Sequence, residues 1–395
     1  MSADPRAALA ADQVLPLEGL LVVGLEQAVS APHCTRQLAD LGARVIKIES
    51  PTGDFCRYYD DAVGEVSAYF AWANRGKESV VLDLKSPDDR AVLERILAAA
   101  DVLVQNLAPG AAERLGVDAA GATGRHPRLI AVDISGYGTG GERERSRAYD
   151  LLVQSEGGSC AITGTAGNPA KPGVPFVDVG TGMTAATAIL AAVIDRGRTG
   201  RGTAITIGMF DVVTDWVSWA LHQAAATGTD PVPVGMASPL VAPYGAYRTA
   251  DDQTIVLGTT SDAEWRRLCN DLLGMPELVA DPRYAMNADR VARRAELDEH
   301  VGAWAASCTF AEASAAAEAA GIGWGRYNTP TEVLHHSELE RRGRWATTAA
   351  PGRTFRSLRP AADSDSWSWQ AGAVPALGEH TDAVRAEFAD VASGN

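Results

Sequence analysis

The 395-residue chain is poor in the side chains that build disulfides and metal centres. Its five cysteines, Cys34, Cys56, Cys160, Cys269 and Cys308, are scattered and form no C-x-x-C pair, which reads as reduced, mostly buried thiols. The seven histidines show no H-x-x-x-H or H-E-x-x-H spacing, and adjacent His335 and His336 would diverge on a helix, so no metal site is expected. Positive charge is short as well. With 35 Lys and Arg against 50 Asp and Glu, the net charge of -15 disfavours nucleic acid and anionic membrane as partners. No apolar run reads as long enough to span a bilayer, and residues 1–13 lack the basic start and apolar stretch of a secretory signal. A cytoplasmic protein is the expectation.

What remains is a globular composition. A hydrophobic share of 46% and a charged share of 22% supply an ample core, and the length predicts two domains. Short apolar runs alternate with helical segments from residue 20 to about 210. Leu20–Leu25, Arg44–Ile48, Ser79–Leu84, Val102–Gln105, Leu129–Ile134 and Thr203–Met209 read as strands. Cys34–Leu41 reads as a helix, and Ser86-Pro87 supplies an N-cap and first-turn proline for another, ending near Ala100. That alternation predicts an α/β fold, a large Rossmann-like open parallel sheet. Asp211–Ala226 reads as one long helix and Thr227–Pro233 as a connector. Tyr244–Arg248 and Thr254–Leu257 flank a turn at 250–252, a β-hairpin, and helices capped by Ser261 and Thr309 follow. Thr329-Pro330 opens a further helix, Thr381 is expected to cap the last one, and Arg359–Gln370 reads as an extended surface stretch. The division is therefore 1–227 for the first part of the large domain, 228–325 for a smaller α+β domain, and 326–395 for a segment completing the large domain.

Two motifs bear on chemistry. Gly136-Tyr137-Gly138-Thr139-Gly140-Gly141 fits G-x-G-x-x-G, but Glu142-Arg143-Glu144-Arg145 follows where a dinucleotide fingerprint would open an apolar helix. A glycine-rich turn is the better reading, and a nicotinamide-dependent oxidoreductase is disfavoured. In Val174–Met183 an apolar run ends in Asp178, passes Gly180 and Gly182, and enters an Ala-rich helix running to about Asp195. An acid at a strand's carboxyl end beside a helix N-terminus stands where open α/β sheets bind ligands. The pattern equally fits an aspartate that merely supports the helix start, a role open to Thr181 too.

Ala31-Pro32-His33-Cys34 followed by Leu41-Gly42-Ala43-Arg44-Val45-Ile46-Lys47-Ile48-Glu49 resembles the opening signature of family III CoA-transferases. Gly53-Asp54, Asn74-Arg75-Gly76-Lys77, Leu82-Asp83-Leu84-Lys85, Pro109-Gly110, Arg114-Leu115-Gly116, Thr199-Gly200-Arg201-Gly202 and Leu377-Gly378-Glu379-His380-Thr381 fit in the same order along nearly the whole chain. The resemblance implies transfer of CoA from an acyl-CoA to a small carboxylic acid, with CoA as substrate and no tightly bound cofactor. It implies an interlocked, ring-like homodimer. It makes Asp178 the catalytic aspartate, forming a mixed anhydride and then an aspartyl-CoA thioester. Tyr149, Gly180 and Gly182 become supports of the active site. Leu82, Lys85, Asn106, Leu107, Arg114, Arg147 and Met209 line the CoA groove.

Two departures stand out. The formyl-CoA transferases of the family carry arginine where this chain has Ser50, and a run of glycines where it has Gly235–Ala242, so formate is disfavoured as acceptor. The alternative within the superfamily is a CoA-thioester racemase or epimerase. Those enzymes place a histidine where this chain has Tyr149, whose ordinary pKa of about 10 suits a proton-swapping pair poorly.

Overall fold

The computed structural model describes residues 15–369 and 372–389, and the chain divides into two compact units. The first comprises residues up to 157, 172–218 and from 338 onward; the second comprises 158–171 and 219–337. The second unit thus takes a segment from before residue 172, and the return to the first comes at Glu338.

The first unit is built on six strands: β1 (Leu21–Leu25), β2 (Arg44–Glu49), β3 (Lys77–Val81), β4 (Val102–Gln105), β5 (Ile130–Ser135) and β8 (Ala204–Gly208). A two-residue hairpin, β6 (Gly164–Thr165) and β7 (Asn168–Pro169), lies in the second unit. All neighbours in the six-stranded sheet run parallel, in the order β3-β2-β1-β4-β5-β8. Its helices are α1 (Ser30–Asp40), α2 (Ala68–Asn74), α3 (Pro87–Ala99), α4 (Ala111–Leu115), α5 (Ala119–Arg125), α6 (Asp150–Glu156), α7 (Phe176–Thr199) and α8 (Met209–Trp216). Alternate residues Val23, Ile46, Val80, Leu103 and Ala131 bury with Ile96 of α3 and Ala122 of α5. On the other side α1 and α7 pack on each other and reach β4 and β5 respectively. Cover on both sides explains why β1 and β4 are almost wholly apolar rather than alternating.

Several predicted elements shift. Helix α1 begins at Ser30, four residues before the expected start, with Pro32 in its first turn where the missing N–H costs nothing. The expected helix over 211–226 divides at Val217 into α8 and α9 (Ser218–Thr227). Thr381 is the first residue of the final helix, Thr381–Glu387, and not its cap. Its hydroxyl instead accepts the Val81 N–H at 3.0 Å, beside His380 N–H donating to the Ser79 carbonyl at 3.0 Å. The returning chain thereby occupies the open edge of β3, which would otherwise expose unpaired backbone groups. Residues 359–369 hold no helix or strand, but the expected surface stretch is corrected at Trp369, which is buried and donates to Asp40 at 2.8 Å; Gln370 lies outside the described residues.

The expectation about apolar runs is corrected by α7. This 24-residue helix is long and apolar enough to cross a membrane by length and composition, with a mean hydropathy of 1.7 over its most apolar 18 residues. The interrupting Asp178 and glycines hid this in the sequence. Within the fold one side of α7 lies against α1, where Gly182 and Ala185 are buried.

In the second unit, β9 (Tyr244–Arg248), β10 (Thr254–Gly258) and β11 (Gly323–Arg326) form an antiparallel sheet. Asp252, at φ 61°, closes the predicted hairpin. Ser261, Thr309 and Thr329 each complete a capping box with the glutamate three residues on. Residues 235–242 are irregular and tethered: Arg294 donates to the carbonyls of Ser238 and, at 2.6 Å, Val241, while Asn287 donates to that of Leu240 at 2.9 Å.

Candidate active site

The strand order places a topological switch at β1. From there the chain proceeds outward through β2 and β3 on one side and β4, β5 and β8 on the other. Loops at the carboxyl ends diverge at such a point and leave a crevice. A cavity of about 330 Å³ occupies it, walled by the segments that follow β1, β2, β3 and β4 and by α4. Leu25, Ile48, Leu82 and Leu107 make it apolar, and Lys85 and Arg114 stand at its wall. Both cations are exposed. Four of the seven residues expected to line a CoA groove, Leu82, Lys85, Leu107 and Arg114, therefore meet here. Asn106, Arg147 and Met209 are not on this wall. Met209 is buried at the start of α8, beyond the far edge of the sheet, and Arg147 is exposed in the loop before α6.

Beneath the cavity lies a layer of buried charge. Lys77 Nζ reaches Glu26 at 2.6 Å, and Lys47 Nζ reaches Asp54 at 2.9 Å and the Glu26 carbonyl at 3.0 Å. Arg57 forms a two-pronged pair with Glu49, at 2.6 and 2.8 Å. Burial alone would raise the Glu49 carboxyl, but Arg57, Lys47 and the Ser79 hydroxyl hold it down at about 2. Burial is likewise outweighed at Glu26, where Lys77 and Lys47 keep the carboxyl below its ordinary value. Glu26, Glu49 and Asp54 thus line the crevice, while Lys47 is fully buried and pairs with Asp54.

Asp178 stands in a different setting. It occupies the first turn of α7, not the end of a strand, so the expected strand is corrected to helix. The reason is a distant cap. Asp150 Oδ1 accepts the N–H of Val177 at 3.1 Å and of Asp178 at 3.3 Å, satisfying two of the free donors of a helix start from 27 residues upstream. The Asp178 carboxyl is left half-buried beside a second carboxylate. Burial and then Asp150 push it up to about 7, against a hydrogen bond from Ser30 that favours the ionised form. No Lys or Arg ion-pairs with Asp178 among the described residues.

Gly180 and Gly182 are helical, so their N–H groups belong to the α7 ladder and are not the open turn expected from the sequence. Each is glycine for space. A Cβ on Gly180 would stand 2.7 Å from the Trp216 ring, and one on Gly182 2.6 Å from the Ser30 carbonyl oxygen. They set how closely α7 approaches α8 and α1. Tyr149 precedes α6 and is well exposed. The loop 136–149 opens no helix before Asp150, so the G-x-G-x-x-G string has no dinucleotide-binding context.

Sequence reasoning missed Ser30 and the capping role of Asp150. Ser30 carried a local signal, a serine shortly before Pro32 at a helix start. Asp150 carried none, because its partners lie far along the chain.

Residues 17–381 match the profile of CoA-transferase family III. The chain is 39% identical over 280 residues to the acetyl-CoA:oxalate CoA-transferase of Acetobacter aceti, covering 70% of this chain and 72% of that one. It is 33% identical over 384 residues to the succinate–glutarate CoA-transferase of Agrobacterium fabrum, covering 94% and 96%. A CaiB/BaiF family protein from Brucella suis superposes with a TM-score of 0.83 at 32% identity, over 95% of this chain and all of that one. With a six-stranded parallel sheet of this order and a family match across nearly its whole length, the chain belongs to CoA-transferase family III.

Proposed function

We propose that this CoA-transferase works through Asp178 as a covalent nucleophile and exchanges CoA between small carboxylic acids, dicarboxylates among them. The observation that carries the reading is the setting of Asp178, a half-buried carboxyl with no Lys or Arg ion-paired to it among the described residues. Such a carboxylate is more basic than one in water and correspondingly more nucleophilic once ionised. The related enzymes named for oxalate, succinate and glutarate support the acid class.

In the first step the Asp178 carboxylate oxygen bonds to the thioester carbonyl carbon, the C–S bond breaks, and CoA leaves as thiolate. The thiolate then attacks the Asp178 carbonyl carbon, which gives an aspartyl-CoA thioester and frees the donor acid as carboxylate. The acceptor carboxylate attacks that thioester, forming a second mixed anhydride and releasing the thiolate again. Attack of the thiolate on the acceptor's carbonyl yields the new acyl-CoA and restores Asp178. Activation is conserved at each covalent stage, which hydrolysis would waste. Lys85 and Arg114 are the cations proposed to hold CoA phosphates at the cavity wall. An interlocked homodimer is part of the proposal.

Racemisation needs an acid and a base on opposite faces of the α-carbon. His33, the histidine facing α7 near Gly182, is a poor partner, since burial, then Arg36, Lys77 and Arg75, push it down to about 3. The test runs acyl-CoA with a second acid in heavy water. CoA exchange without α-deuteration of a 2-methylacyl-CoA is expected. Rapid α-deuteration without exchange would replace the transferase reading with the racemase. Adding hydroxylamine to the acyl-CoA incubation should convert Asp178 to a hydroxamate visible by mass spectrometry.

A further inference from the structure

We infer that Gln105 and Asp133 are positioning residues, bracing the cavity-wall segment that bears Arg114 so that its guanidinium is held ready for a CoA phosphate. The inference rests on the reading of Lys85 and Arg114 as the phosphate cations.

The segment runs from Leu107, just past β4, to Ala119 at the start of α5, and Leu107, Ala111, Arg114 and Leu115 along it line the cavity. Its own backbone fixes its course only weakly. Helix α4 is little more than one turn, set between Gly110 at φ 75° and Gly116 at φ 69°, left-handed positions at both ends. Arg114 lies back over the first of them, since a Cβ on Gly110 would stand 3.0 Å from its guanidinium. Ala112 and Val117 anchor the middle in the core. The two ends are held by polar groups.

Both ends converge on one carboxylate. Gln105 and Asp133 are register partners on the adjacent parallel strands β4 and β5, a polar pair in an otherwise apolar layer. The Leu107 N–H donates to Gln105 Oε1 at 2.8 Å, and Gln105 Nε2 donates to Asp133 Oδ1 at 2.8 Å. The Ala119 N–H is shared between the two Asp133 oxygens, at 3.0 and 2.9 Å. A backbone N–H can only donate and an ionised carboxylate can only accept, so the Gln105 amide has one satisfactory orientation. Burial raises the Asp133 carboxyl, and the bonds from Gln105 and Ala119 draw it back down. Asn106, expected in the CoA groove, extends the brace to the opposite wall. Its Oδ1 accepts the Gln27 N–H and its Nδ2 donates to the Gln27 carbonyl, both at 2.9 Å, and Gln27 lines the cavity as well.

The experiment reads CoA binding by calorimetry and amide hydrogen exchange across residues 107–118, in the full-length protein. Asp133→Asn introduces a donor that must oppose either the Gln105 amide or the Ala119 N–H. It should weaken CoA binding roughly three- to tenfold, as expected for one buried hydrogen bond, and speed exchange in the segment. A pantetheine thioester, which lacks the nucleotide phosphates, should be nearly unaffected. Gln105→Glu alone sets carboxylate against carboxylate and should act in the same direction, and it serves where the first variant fails to fold. Combined, the two substitutions restore every contact with the polarity reversed. The new carboxylate accepts from Leu107 and from the new amide, whose oxygen accepts the Ala119 N–H, so affinity and exchange should return to wild type. In an Arg114→Ala background, Asp133→Asn should lower CoA affinity by less than about twofold, because its effect passes through Arg114. Equal losses with and without Arg114, or a combined variant no better than the single ones, overturn the brace. Unchanged CoA affinity in Arg114→Ala would overturn the phosphate reading beneath it, and the exchange data keep that failure separate from a failure of the brace itself.

Discussion

Two groups of carboxylates lie near the carboxyl end of the same sheet and behave in opposite ways. Glu26, Glu49 and Asp54 sit at its floor, each paired with a buried cation, and Glu49 is held down at about 2. Asp178 sits at the head of α7 with another carboxylate as its nearest charge and is pushed up to about 7. The residue types are interchangeable on paper. What separates them is the partner: a cation fixes the charge and makes the group inert, whereas its absence leaves the charge costly and the oxygen reactive. A buried pair anchors structure, and an unpaired carboxyl is where chemistry is concentrated.

The comparison breaks most visibly if the reactive member is removed. Asp178→Ala and Asp178→Asn should lower kcat for exchange by about 10⁴-fold or more, since neither side chain offers an anion to the thioester. CoA binding, measured by calorimetry, should survive in both. Removing the inert member should instead cost stability. Glu49→Gln leaves Arg57 buried without its counter-charge and should destabilise the fold by about 3–5 kcal/mol at pH 7 in urea unfolding. Because its pKa is depressed in the fold, that contribution is complete above about pH 4.5 and is lost as pH falls through about 2.

Smaller effects sharpen the contrast. Lys85→Ala and Arg114→Ala, at exposed cations of the cavity wall, should each weaken CoA binding by roughly 1–3 kcal/mol, and weaken a pantetheine thioester less. Equal losses with both ligands would move these residues away from the phosphates. Asp178→Asn should also raise Tm slightly. The Asp178 pKa is raised in the fold, so the unfolded chain releases this proton first as pH climbs, and the native state loses stability from about pH 4 up to about 7. The gain from asparagine should therefore be largest at pH 8 and fade toward pH 4 in a thermal-melt series.

Much of this was readable from local pattern. The six core strands, the hairpin at Asp252 and the caps at Ser261, Thr309 and Thr329 follow from periodicity, turn chemistry and capping, which act over a few residues. Asp178 was singled out as well, by its apolar approach and the glycines after it, and Lys85 and Arg114 by resemblance. What surrounds Asp178 was not readable. Val174–Val179 is as apolar as a strand, yet from Phe176 onward it is helix, with a carboxylate 27 residues upstream capping its start. Gly180 and Gly182 looked like a turn, and only the approach of Trp216 and Ser30 shows that they are gaps cut for neighbouring helices. Residue type and short-range spacing determined which groups exist and which elements form, because those forces are local. The tertiary structure decided which carboxylate would be paired and which left basic, since burial and charge at a distance depend on contacts made across the whole unit.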